Sequence, residues 1–285
     1  MDQATHPDNR KTLSTLRSEW KDCTKCELGK RRKEVGGSFV FGEGAPRGVM
    51  FIGDGPGVEE EEKGRPFVGR SGIVLRKLIK KLGLAPVYIS NVVACRSCGQ
   101  AYDSDGNPRT WKDRDGFIHP SIKDMLPTPF QMGMCLPRLY EEIYLVDPVL
   151  IVALGGASAE ILSGKASSIL AESGVTRAIS IPGAGYHPVV TTQRRHWIRK
   201  VRGETIMPVE QNQVNYLMMT LVHPAYVLQK SKDERIGNPV EIFLEGMQKA
   251  AAIYDRYAIE VHGTDLQIGS EQLDEEDFHE VSEEE

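Results

Sequence analysis

No run of eighteen apolar residues occurs anywhere in the 285-residue chain, which excludes a membrane-spanning helix by length. Met1 to Thr12 is polar and lacks the apolar stretch of a secretory signal, so a cytoplasmic location is expected. Cysteine is scarce, five in all. In a compartment that keeps thiols reduced, five cysteines argue for metal or cluster ligation and against a disulfide framework. Internal repeats are missing too. Residues 263–285 contain no Lys or Arg at all, but ten Asp and Glu.

That last absence changes how the charge reads. The formal net charge is −5, from 35 basic and 40 acidic residues. Without the tail, 35 basic residues face 30 acidic ones, a body of +5. A mildly basic body with an acidic tail permits nucleic-acid binding without requiring it. The tail is poor in apolar residues, so it is expected to be disordered and to be available to a replication or repair protein. Residues 1–12 are likewise expected to be disordered.

Four apolar, partly β-branched runs read as buried parallel strands: Val49–Ile52, Val87–Val93, Val149–Leu154 and Leu217–Val222. Helical patterns fall at Leu13–Cys23, Gly72–Leu82, Leu136–Leu145, Ala157–Leu162 and Val240–Tyr257. The alternation predicts an α/β fold, a three-layer α/β/α sandwich around a mainly parallel four-stranded sheet. One domain over 13–262 is expected, interrupted by insertions at about 97–133 and 183–215. Structureless loops that long are uncommon, so functional insertions or small hairpins are expected.

The densest signal is Gly53-Asp-Gly-Pro-Gly57, followed by Glu59–Glu62 and Gly64-Arg-Pro-Phe-Val-Gly69. It lies between a strand and a helix, where open α/β sheets bind ligands. Gly53 and Gly55 let backbone approach a ligand, and Asp54 supplies a carboxylate. The Glu59–Glu62 run reads as a solvated loop face, although Glu59 or Glu60 could assist Asp54. Asn91 ends the second strand and His223-Pro224 follows the last one. Asn91 also reads as a turn or capping residue, Phe67 as a core ring, and His223 as a structural histidine. Two cysteine pairs, Cys23-x-x-Cys26 and Cys95-x-x-Cys98, have the composition of a zinc site.

Taken in order, several segments resemble the uracil-DNA glycosylase superfamily, most closely its iron–sulfur branch, family 4. They are Cys23-Thr-Lys-Cys-Glu-Leu28, Phe41-Gly-Glu-Gly44, the Gly53 and Gly64 motifs, and Ser90-Asn-Val-Val-Ala-Cys-Arg96. Cys135 opening a helix, Ile151-Val-Ala-Leu-Gly155 and His223-Pro-Ala-Tyr226 complete the set. The resemblance implies hydrolysis of the N-glycosidic bond of a uracil flipped out of DNA, leaving an abasic site. It implies stacking on Phe67, edge recognition by Asn91, a hydrogen bond from neutral His223 to uracil O2, and water activation by Asp54. The family usually carries Glu at position 54 and Ala at 55, so this chain departs there.

The same resemblance implies that Cys23, Cys26, Cys95 and Cys135 hold a [4Fe–4S] cluster, zinc being the alternative. Arg65, Arg70 and the basic run with Arg194, Arg195, Arg199 and Lys200 are candidate phosphate contacts. Tyr226 and Leu228 are candidate wedges for the vacated stack. Arg194-Arg-His196 loosely resembles a loop that traps uracil-DNA covalently in one subgroup. The expected partner is uracil-containing DNA and the expected state a monomer. The rival reading from another class is a non-catalytic DNA-binding accessory or processivity factor on the same fold.

Overall fold

The computed structural model describes residues 11–165, 168–182, 213–230, 238–262, 266, 273–276 and 278. A six-stranded sheet runs in the order β1-β3-β2-β8-β10-β9. Its parallel centre is β3 (Val87–Asn91), β2 (Val49–Gly53), β8 (Leu150–Leu154) and β10 (Gln213–Leu221). These are the four strands expected from the apolar runs. Two antiparallel edges extend them, β1 (Glu43–Gly44) on β3 and β9 (Thr176–Pro182) on β10. The expected count of four strands is therefore corrected to six. The short β1 and the half-exposed β9 carry no continuous apolar run to betray them.

All five residues of β2 are buried, and so are all five of β8. Both faces of a parallel sheet are covered by helices, so alternate side chains enter different cores. Val49 and Phe51 pack with Leu75 and Leu78 of α4 (Arg70–Lys81) and with Phe243 and Met247 of α8 (Pro239–Tyr257). Met50 and Ile52 pack instead with Leu139 and Ile143 of α5 (Pro129–Val146). The cluster around Met50 also takes in Leu28 of α2 (Glu27–Glu34) and Ala159 of α6 (Gly156–Ser163). Near the N-terminus, α1 (Leu13–Trp20) is capped by Thr12. Lys11 pairs with Glu19 and Glu141, so the expected disorder does not extend to residues 11 and 12.

Two further expectations change. Residues 98–124 fold into small hairpins, β4 (Cys98–Gln100) with β7 (Ile122–Asp124) and β5 (Thr110–Lys112) with β6 (Ile118–Pro120). This insertion ends at Thr128, where a reciprocal Thr128–Gln131 capping box starts α5. Cys135 is thus inside α5 and does not open it. The tail is not wholly solvated either. Leu273 and Phe278 are buried in the core beside Phe243, and Asn238 hydrogen-bonds Glu275. Five apolar residues among ten acids are too few for composition to flag, yet two of them, Leu273 and Phe278, are buried and dock a short segment. Of the second insertion, residues 183–212 lie outside the described residues, and 213–215 begin β10. No helix among the described residues is long and apolar enough to cross a membrane.

Candidate active site

The parallel strands deliver their next residues to one edge. Asp54 follows β2, Asn91 ends β3, Gly155 follows β8, and His223 lies two residues beyond β10. β2 is flanked by β3 and β8, with chain connections leaving in opposite directions, and Asp54 sits at that reversal. A cleft of about 820 Å³ opens there, lined by Asp54, Phe67, Asn91 and His223. The motifs of the sequence and the cavity of the fold thus coincide on these four residues.

Glycine makes the convergence possible at two positions. A β-carbon on Gly53 would lie 2.6 Å from both Asn91 Oδ1 and the Phe67 ring. At Gly155, where φ is +108°, it would lie 3.0 Å from Asp54 Oδ2. Larger residues would push these groups apart.

Phe67 is held in a left-handed conformation, φ 52°, that a bulky residue rarely adopts. Neighbouring bonds impose it. Arg76 donates to the carbonyls of Phe67 (2.8 Å) and Pro66 (2.7 Å). Glu60 Oε1 accepts the next two amides, from Val68 and Gly69, both at 2.8 Å. The other carboxylate oxygen of Glu60 accepts from Gly57 N at 3.0 Å, joining both glycine-rich turns. The ring is buried and lies nearly parallel to the His223 imidazole, centroids 5.8 Å apart at 28°.

The acidic run is therefore not a solvated loop face. Residues 58–63 form helix α3 (Val58–Lys63), with Glu60 and Glu61 buried. Glu61 takes both arms of Arg31, at 2.7 and 3.1 Å. Glu60 is spent on backbone amides, Glu59 pairs with Lys63 and Asp124 with Arg96, whereas Asp54 lines the cleft at the end of β2.

Asp54 Oδ1 accepts from the backbone N–H of Ser158, at the start of α6, at 2.7 Å. Burial pushes its carboxyl above the usual range, opposed by the neighbouring His223 and the Ser158 bonds. Burial pulls His223 below the usual histidine range, opposed by Asp54. The imidazole is thus held neutral. Its Nδ1 accepts the Ala225 N–H at 3.1 Å, which leaves the proton on Nε2.

Asn91 is 2% exposed, and its Oδ1 has no hydrogen-bond partner. An acceptor buried in that state is costly unless something fills it. Behind it the backbone is clamped. Arg138 donates to the carbonyls of Asn91 and Val92, both at 2.7 Å, and pairs with Glu142. Glu142 also accepts from Tyr88 and Ser90 and from Gly42 N. Neither this network nor the roles of Glu60 and Ser158 appear in the sequence reading. The one available signal was Arg138 and Glu142 at an i, i+4 helical spacing within an apolar stretch.

The candidate DNA contacts divide. Arg70, Tyr226 and Leu228 line the cleft, the last two on α7 (Pro224–Lys230), whereas Val227 is fully buried. Arg65 is exposed but committed to Glu43 through two bonds of 2.8 and 2.9 Å. Arg194, Arg195, His196, Arg199 and Lys200 lie outside the described residues. Among the cysteines, Cys26, Cys95 and Cys135 share one buried cluster. Burial pushes the Cys95 and Cys135 thiols up, and Cys23 is half-buried. Cys98 is half-buried as well and acts on Arg31.

The chain belongs to the Uracil DNA glycosylase superfamily, whose family model matches residues 40–245. It is 37% identical over 153 residues to a type-4 uracil-DNA glycosylase of Thermotoga maritima, covering 52% of this chain and 65% of that protein. The same identity and length relate it to a type-4 uracil-DNA glycosylase of Pyrobaculum aerophilum, covering 53% and 64%. A third, from Sulfurisphaera tokodaii, is 33% identical over 158 residues, covering 54% and 59%. The chain thus spans slightly less than two thirds of the length of the relatives it matches.

Proposed function

We propose that this protein is a monofunctional uracil-DNA glycosylase of base-excision repair. The unpartnered Oδ1 of Asn91, facing a cleft shared with Phe67 and a neutral His223, carries the reading. Uracil presents an N3–H donor beside its O4 acceptor. The Asn91 amide complements both, with Oδ1 taking N3–H and the amide nitrogen donating to O4. Cytosine has the reverse pattern and would leave Oδ1 facing another acceptor. Phe67 offers a stacking face for the flipped base.

Bond cleavage develops negative charge on the uracil ring and positive charge on the sugar. His223 Nε2–H stabilises the first by donating to O2, without transferring its proton. Ionised Asp54 stabilises the second and orients the attacking water. Water supplies the hydroxyl to C1′ and gives its proton to Asp54, which returns it to solvent, and uracil leaves as an anion that takes a proton from solvent. Arg70, Tyr226 and Leu228 would meet the DNA around the flipped nucleotide, and the run from Arg194 to Lys200 would add phosphate contacts.

Cys23, Cys26, Cys95 and Cys135 fit a [4Fe–4S] cluster better than zinc bound with Cys98. Three of the four share one buried cluster, and the fourth, Cys23, is half-buried three residues before Cys26. Among the described residues, no three His, Cys or acidic side chains close around a point as ligands of one ion do. Arg32 supports this fit. It is 7% exposed, donates to the Cys23 carbonyl at 3.1 Å, and has an unpartnered Nε. A buried cation with a free donor suits an anionic, sulfur-rich group. When bound, the group supplies a cross-link between the N-terminal segment, β3 and α5, and takes no part in glycosidic chemistry.

A labelled oligonucleotide with one uracil, incubated with the protein and then treated with alkali, tests the function. Cleavage at uracil, absent from a thymine control and lost in His223→Ala, is expected. Intact DNA from folded, cluster-loaded protein would end the catalytic reading.

A further inference from the structure

The first insertion is an arm rooted in the cleft wall. Its base, β4 with β7, ends at Asp124, and Asp124, Met125 and Leu126 line the cleft. Beyond the base the arm divides into two hairpins that turn at 103–107 and 113–117. Large rings stand exposed on both: Tyr102 and Trp111 at 54% and Phe117 at 68%. Three exposed rings on one small arm are expensive to leave in water without a function. They alternate with the exposed cations Arg109, Lys112, Arg114 and Lys123.

Of the arm's five carboxylates, Asp105 and Asp115 stand exposed at the two turns and the other three are engaged within the arm or at its base. Asp103 and Asp113 accept amides of their own turns, Asp113 also bonds His119, and Asp124 pairs with Arg96. The Trp111 ring is already ordered, stacked on His119 with centroids 4.6 Å apart at 27°.

We propose that this arm holds the DNA strand leaving the cleft, its rings stacking on unpaired bases and its cations meeting phosphates. Single-stranded DNA carrying uracil is then the preferred substrate. The placement of uracil in the cleft rests on the glycosylase reading; the arm's binding of single strands does not. Continuity with the cleft selects DNA over a protein partner, because Met125 and Leu126 belong to both arm and cleft. Rings interleaved with cations suit a chain of bases and phosphates, since every base has a face to stack. A duplex keeps those faces inside its own stack.

The test is the double variant Trp111→Ala, Phe117→Ala in the full chain. Binding of a uracil-free single strand and of the matching duplex is followed by fluorescence anisotropy, and cleavage by the alkali assay. Both side chains are exposed, so the variant keeps its fold, which the melting temperature verifies. The expected result is a loss of at least about tenfold in single-strand affinity. Duplex affinity should change little, and cleavage of a uracil-centred trinucleotide, too short to reach the arm, should be unaffected. An unchanged single-strand affinity overturns the proposal, as does an equal loss on duplex. Selective loss of single-strand binding in a protein that cleaves nothing would support the arm's role while removing the glycosylase reading.

Discussion

At the residue scale the site depends on two groups whose ionisation burial shifts in opposite directions. In the proposed reaction Asp54 acts in its ionised form, and its carboxyl sits above the usual range. Activity should therefore fall on acidification at a pH above the ordinary aspartate value of about 3.9, which a pH profile of kcat/KM would show. The folded form also binds the Asp54 proton more tightly than the unfolded chain does. That contribution to stability is lost as pH rises through the raised value, so ionised Asp54 weakens the fold at neutral pH. Asp54→Asn should accordingly reduce turnover by about 10²-fold or more while leaving Tm equal or higher. A clear drop in Tm alongside the lost activity would contradict this. His223 behaves oppositely. Its folded value is depressed, so the unfolded chain takes up the proton first, and stability declines as pH falls below about 6.5. Asn91→Ala should cost about 1–3 kcal/mol of transition-state binding, measured as kcat/KM on uracil DNA. The motif residues themselves were legible in the sequence. Their ionisation was not, because it depends on which groups share a buried volume.

At the element scale, the loop between β2 and α4 takes its shape from Glu60, and β3 takes its end position from Arg138. Both are buried polar residues that composition treats as surface. Arg138→Met leaves Glu142 as a buried charge without its cation, a loss of about 3–5 kcal/mol readable in urea melts. Wild-type stability in that variant would show that Tyr88, Ser90 and Gly42 satisfy Glu142 by themselves. The strands and long helices were readable because apolar periodicity is local. The short α3 and the edge strands were not. Glu59–Glu62 looks solvated until Arg31 and the amides of 57, 68 and 69 close over it.

At the scale of the whole molecule, the acidic tail does two things that composition treats as one. Leu273 and Phe278 anchor it to the core, each burial worth about 1.5–3 kcal/mol. Its ten acids lower the net charge of the chain from +5 to −5. Removing residues 263–285 should therefore lower Tm and, at low salt, strengthen binding to any DNA, the gain vanishing as salt rises. A truncated chain of unchanged Tm would show that the anchor contributes nothing.

The division between what sequence and structure each decided follows from range. The four central strands, the long helices and the glycine-rich turns depend on neighbours along the chain, and the sequence by itself determined them. The six-stranded width, the seat of Asp54 on α6, the free oxygen of Asn91, the proton on His223 Nε2 and the docked tail required the tertiary structure. Each joins residues far apart in sequence, as Asp54 is from Ser158 and Asn91 from Arg138. Burial and hydrogen-bond supply at such meeting points are set only when the chain has closed around them.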